Sequence, residues 1–182
     1  MKGHDETRSL EEVNMYPEEY LDYLIHFHSH RDYFECHEIL EEFWKSRGKS
    51  EQVWVGLIQI AVGLYHYRRG NLAGAEKMIK NALSIIRMEE KEVETIGIDS
   101  SQLIHLLQEV ITRINQKLPY TSITLPLLPD LQAKCLKLCT EKGYFWNKPS
   151  NLQNEFIINK HTLRDRSEVI DERLQAKKRS KF

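Results

Sequence analysis

Between residues 17 and 118 the apolar residues of this chain recur three and four positions apart, run after run, and almost never at every second position. An α-helix uses that period to bury one face, and a half-buried strand cannot. Only 8 glycines and 5 prolines interrupt the 182 residues, so little breaks the helical pattern. Pro17 suits the first turn of a helix that turns Tyr20, Leu21, Leu24, Ile25 and Phe27 inward. Asp32 with Glu35 makes an acidic capping box that opens a second helix, and Gly48 ends it. Ser50 is placed to cap a third, running to Gly70 with Trp54, Leu57, Ile58, Ala61, Val62 and Tyr65 inward. Asn71 caps a fourth, with Ala75, Met78, Ile79, Ala82, Leu83 and Ile86 on one face. Asp99 and Gln102 open another, which Pro119 terminates. Connections this short make neighbouring helices antiparallel. The fold class is therefore all-α: a single-domain helical bundle around a three-helix core, with a C-terminal extension.

Three stretches divide the chain. Residues 1–16 form a flexible acidic N-terminus, 17–118 the bundle, and 119–182 a Pro-containing loop followed by a helical extension. The loop PYTSITLPLLPDL carries three prolines and is extended or irregular. Asp130 starts a short helix that Gly143 ends, and Trp146 in GYFWNKP anchors the C-terminal extension to the bundle. Residues 160–182 hold eight Lys/Arg against four Asp/Glu, a solvated helical surface.

Composition excludes several classes of function. The net charge of −1 leaves no electrostatic footprint for nucleic acid or an anionic membrane. The longest apolar run, Trp54 to Tyr67, is broken by Gln59 and His66 and is too short to cross a bilayer. The acidic start does not resemble a signal segment. Cys36, Cys135 and Cys139 form no CxxC, so reduced thiols in a cytoplasmic protein are expected.

Chemistry concentrates in Asp32–Ser46, DYFECHEILEEFWKS. Phe34, His37, Glu41 and Trp44 fall at i, i+3, i+7 and i+10, along a single stripe. If this is the buried stripe, His37 and Glu41 need a partner, because an unsatisfied buried polar group costs roughly 1–3 kcal/mol. An imidazole and a carboxylate one turn apart make half of a metal site. The next helix offers Gln59, Gly63 and His66 at i, i+4 and i+7. If that face meets the motif helix, His66 is the third ligand and Gln59 a supporting one. A divalent transition metal is the cofactor such a set would take; no nucleotide cofactor is evident. The same residues also make a satisfied polar network that needs no ion, and both readings stand. HEILE departs from the zinc-protease helix H-E-x-x-H at its second ligand, where Glu41 replaces histidine. Glu38 lies about 100° around the helix from His37 and reads as surface charge beside the site. His26 and His30 share a helix face and could grip a metal as an i, i+4 pair, but a polar face leading into a turn is the favoured reading of them. Trp44 and Trp54 flank the turn between their helices and are placed to clamp it, by packing against each other or against the neighbouring helix.

The order H-x-x-x-E-x-x-W, on His37, Glu41 and Trp44, resembles the signature of the family called domain of unknown function 309. Gly56-Leu57-Ile58-Gln59, Tyr65-His66, and Gly70-Asn71 with Gly74-Ala75 extend the resemblance over about residues 30–90. It implies a small all-helical bacterial or archaeal protein with no established activity and a signature suggested to bind metal, here His37 and Glu41, with Trp44 packed beside them. The small residues Gly63, Gly70, Ala75 and Ala82 are also spaced like a tetratricopeptide hairpin, yet one such unit cannot make a solenoid. A helical module binding a protein partner, or a second copy of the chain, is the competing function. Nucleic acid and membrane are not expected partners.

Overall fold

In the computed structural model, which describes residues 15–163 together with 174 and 175, helices carry the whole architecture. They are α1 (Glu18–Ile25), α2 (Tyr33–Ser46), α3 (Gln52–Arg68), α4 (Leu72–Met88), α5 (Glu90–Thr95), α6 (Ser100–Asn115), α7 (Pro129–Lys142), α8 (Glu155–Ile158) and α9 (Lys160–Leu163). Among the described residues the only β pairing is one isolated bridge, Ile98 to Leu127. The N-terminal residues 1–14 and the basic run Lys177, Lys178, Arg179 and Lys181 lie outside the described residues.

The centre is α3, apolar on nearly every face, with Leu57, Ile60, Ala61 and Leu64 fully buried. A helix apolar all round must be covered on several sides. On one side α2 runs antiparallel to it: Phe34 meets Tyr65 at one end and Phe43 meets Trp54 at the other. On the other side lies α4. A Cβ on Gly63 would sit 2.6 Å from Ile79 Cδ1, and one on Gly56 3.0 Å from Ile86 Cδ1, so the two glycines seat α4 against α3. Gly63 therefore opens the Gln59/His66 side of α3 to α4, and the approaching helix is not the motif helix. In turn α6 packs on α4, and α1 on α2 and α7.

Side-chain caps start α2, α4 and α6: Asp32 accepts from Glu35 N–H, Asn71 from Gly74 N–H and Asp99 from Gln102 N–H. For α3 the expected Ser50 cap is not used. The N-cap is Glu51, whose side chain instead accepts from Arg47 and from the Trp54 indole. Trp54 packs edge-on against Phe43 of the neighbouring α2 and against Tyr20.

A π-helical turn, His26–His30, follows α1 and ends at Arg31 in the left-handed region, φ 53°. His28 in this turn is fully buried. Its Nδ1 lies 2.8 Å from the Leu24 carbonyl and its Nε2 accepts the Leu125 N–H at 3.0 Å. That pairing makes Nδ1 the protonated nitrogen of a neutral ring. Trp146 stacks on it at 4.2 Å, as an anchor for the extension. Residues 119–128 thus run extended along the bundle, held also by Asp99 N–H to Pro126 O and Leu128 N–H to Gly97 O.

Candidate functional site

Two parallel stripes of α2 compete for the interior, one residue or about 100° apart. The buried one is Tyr33, Cys36, Leu40 and Phe43. The stripe of Phe34, His37, Glu41 and Trp44 is rotated to the flank, where all four are half-buried. This corrects the expectation that His37 and Glu41 face the core. Burying Tyr, Cys, Leu and Phe leaves only the Tyr33 hydroxyl and the Cys36 thiol to satisfy, which Tyr120 and the Tyr23 carbonyl do, whereas burying the other stripe would desolvate an imidazole and a carboxylate.

On the flank the polar groups satisfy one another along their own helix. His37 Nε2 lies 2.6 Å from Glu41 Oε2, and Lys45 Nζ lies 2.5 Å from Glu41 Oε1. His37 Nδ1 also approaches exposed Glu38 Oε1 at 3.3 Å. Partial burial pushes the Glu41 carboxyl up, but the Lys45 hydrogen bond and the His37 charge hold it below its ordinary value. Trp44 is packed against the core, and its buried indole N–H has no protein acceptor.

His66 is not brought to this pair. A chain of ring contacts runs from His37 to Phe34 at 5.9 Å, from Phe34 to Tyr65 at 6.0 Å, and from Tyr65 to His66 at 6.1 Å. His66 Nδ1 instead faces Asn71 Nδ2 at 3.3 Å. Gln59 is half-buried with its Oε1 unpartnered. Among the described residues, no group of three or more His, Cys, Asp or Glu is placed to hold a metal. His37, Glu41 and His66 thus do not assemble into a three-ligand centre. Cys36, Cys135 and Cys139 are buried and unpaired. Burial pushes the Cys36 thiol well up and that of Cys135 to about 12, so neither is a nucleophile.

Removing His37 is accordingly a mild change. A half-exposed i, i+4 pair contributes about 0.2–0.5 kcal/mol, so His37→Ala should lower unfolding stability by less than about 1 kcal/mol rather than the 1–3 kcal/mol of a buried stripe. Urea denaturation of the two proteins measures it, and a loss of 2 kcal/mol would return His37 to the core.

Beside the His37, Glu41 and Lys45 ladder lies a polar knot with no counterpart in the motif. Lys160 Nζ reaches Asp32 Oδ2 at 2.6 Å and Glu35 Oε2 at 3.4 Å. His161 Nδ1 meets the Tyr65 hydroxyl at 2.5 Å. Arg31 donates to the Lys148 and Ile123 carbonyls, and Arg68 to those of Arg31 and Ile157. Tyr33, Tyr120, Ser122 and Ser150 join hydroxyls around Arg68. These contacts span from 28 to 128 residues of sequence, and four of them end on backbone carbonyls, which carry no residue-type signal. The acidic capping box was the one legible part.

What the fold and site define is an all-helical bundle whose second helix carries a half-exposed His–Glu–Lys ladder beside an apolar core helix. The family model described as domain of unknown function 309 matches residues 20–78, which is α1 through the first half of α4. The chain is also 49% identical over 162 residues to the uncharacterized protein YpuF of Bacillus subtilis (strain 168), covering 87% of this chain and 93% of that protein. The chain belongs to the domain of unknown function 309 family. No solved structure matches it. Among the described residues no helix is long and apolar enough to cross a membrane.

Proposed function

We propose that the chain is a helical partner-docking module. Its contact face would be the ridge of His37, Glu41 and Lys45 on α2, with the half-buried stripe of Val55, Gln59, Val62 and His66 on α3. One observation carries this reading: Glu41 commits one oxygen to His37 and the other to Lys45, so the ladder is closed on its own helix. Three long side chains are thereby ordered before any partner arrives, which lowers the entropy lost on docking. Val55 and Val62 supply apolar area between polar groups, the mixture that protein interfaces use. A cytoplasmic setting belongs to the same proposal, supported by three unpaired buried cysteines.

A photo-crosslinking residue placed at Glu38 or at Lys45, both exposed, tests the face in cells. A discrete adduct is expected from these positions and none from exposed Lys77 on α4. A second copy of the chain in the adduct would make the module self-associating. No adduct from the ridge, or the same adduct from Lys77, removes the ridge as the docking face.

A second reading keeps a divalent metal on His37 and Glu41, supported by an imidazole and a carboxylate set one turn apart on one half-buried helix face. Elemental analysis of untagged protein purified without chelators, beside Glu41→Gln, decides it. Metal lost in the variant supports the reading, and equal content in both removes Glu41 as a ligand.

A further inference from the structure

His26 and His30 form a second imidazole pair that the ridge does not involve. They begin and end the π-helical turn after α1, a kind of distortion that recurs at functional sites. The Nδ1 atoms face each other at 3.3 Å, with ring centroids 5.0 Å apart. Two facing imidazole nitrogens hold one cation between them, either a proton in an N–H···N bond or a metal bonded to both. Two zinc–nitrogen bonds of about 2.05 Å meeting at the tetrahedral angle separate their nitrogens by about 3.3–3.4 Å. The pair already has that separation.

The pair is also accessible. It lines a cleft of about 330 Å³ whose walls include Ser29, Asp32, Asn151 and Asn154. Burial lowers the proton affinity of both rings, and His26 lowers that of His30 further. Near neutrality both are uncharged, the form a metal takes. The charges facing them nearly balance. Asp22 on α1, Asp32 at the N-cap of α2 and Glu35 on α2 oppose Lys142 on α7, Lys148 in the following loop and Lys160 on α9.

We propose that His26 and His30 are a two-nitrogen site for a divalent cation of the zinc, nickel and copper group, open to the cleft. Imidazole suits these ions. Asp32 is not a ligand, because its oxygens hold the Glu35 N–H and Lys160. The other coordination positions face the cleft and take water or a donor atom from an incoming ligand. On binding, the ring that donates Nδ1–H moves that proton to its own Nε2, so both lone pairs point at the metal. No proton is released.

The test titrates untagged full-length protein with Zn²⁺ at neutral pH against a chromophoric competitor. The parent should bind one equivalent that His26→Gln and His30→Gln each weaken at least about tenfold. His105→Gln should leave that affinity unchanged, and His37→Ala is titrated beside it. Circular dichroism identifies which glutamine variants retain the fold. In the parent, the imidazole nitrogen-15 resonances of His26 and His30 should also move on addition of Zn²⁺, a readout that needs no variant. Absence of binding, unchanged affinity in folded glutamine variants, or unmoved resonances overturns the site. Loss confined to His37→Ala overturns it too, and assigns the metal to the ridge. The docking face is read separately by crosslinking, so either proposal fails without the other.

Discussion

Stability should fall by about 2–3 kcal/mol between pH 6.5 and pH 4.5 through His28 alone. The ring is buried against Phe27 and Trp146, donates to one carbonyl and accepts from one amide. Burial pushes its pKa down to about 3, against 6.5 in the unfolded chain. The unfolded state therefore binds the proton that the folded state refuses. The stabilisation is fully present above pH 6.5 and is lost at about 1.4 kcal/mol per unit as pH falls toward 3. His26 and His30, lowered less, add to the slope in the same direction. His28→Gln cannot take up the proton. It should cost about 1–3 kcal/mol at pH 7 and flatten most of the dependence above pH 4.5, where carboxylates contribute little. Urea midpoints at several pH values measure both quantities. Parallel curves for parent and variant would place the acid sensitivity elsewhere.

Arg68→Ala should cost about 3–5 kcal/mol and free the C-terminal segment first. The guanidinium is buried over the Tyr33 ring at 4.6 Å, with Tyr120 at 6.0 Å. It donates to Arg31 O at 2.7 Å, Ile157 O at 3.2 Å and Ser150 Oγ at 3.3 Å. Alanine leaves two carbonyls without their donor and a void between aromatic faces, and the two penalties add. Arg31 is affected as well, because its left-handed backbone persists only while the surrounding hydrogen bonds hold it. Lysine cannot substitute, since one ammonium cannot span three acceptors spread over a planar fork. Limited proteolysis should cut the variant between residues 144 and 163 before the bundle yields. Equal urea midpoints and equal cleavage rates would mean the extension is held without Arg68.

The helices themselves were legible because each sums many small, local contributions. Asp32, Asn71 and Asp99 cap as their spacing predicts, and Gly143 ends α7 in the left-handed region. Ser50 was misleading, since Glu51 can cap no backbone donor while it holds Arg47 and Trp54. The candidate site was legible in composition but not in phase. His37 and Glu41 do pair, as residues one turn apart on a helix do. Yet two stripes one residue apart both satisfy helical spacing, and burial free energy chose Tyr33, Cys36, Leu40 and Phe43. Comparing the ionisable groups on the two stripes points to the buried one, which carries neither an imidazole nor a carboxylate.

His66 shows the boundary of such reasoning. Its spacing from Gln59 and Gly63 was correct, but the helix that uses the gap at Gly63 is α4, through Ile79. Period and capping are written within a few residues, so the sequence by itself determined the helices, their order and the all-α class. Which face meets which helix depends on the summed burial of distant segments. Only the tertiary structure could therefore bring Arg68 to the Ile157 carbonyl, His28 to the Leu125 amide and Lys160 to Asp32. The backbone groups among those partners are identical at every position along the chain, so no residue pattern marks them in advance.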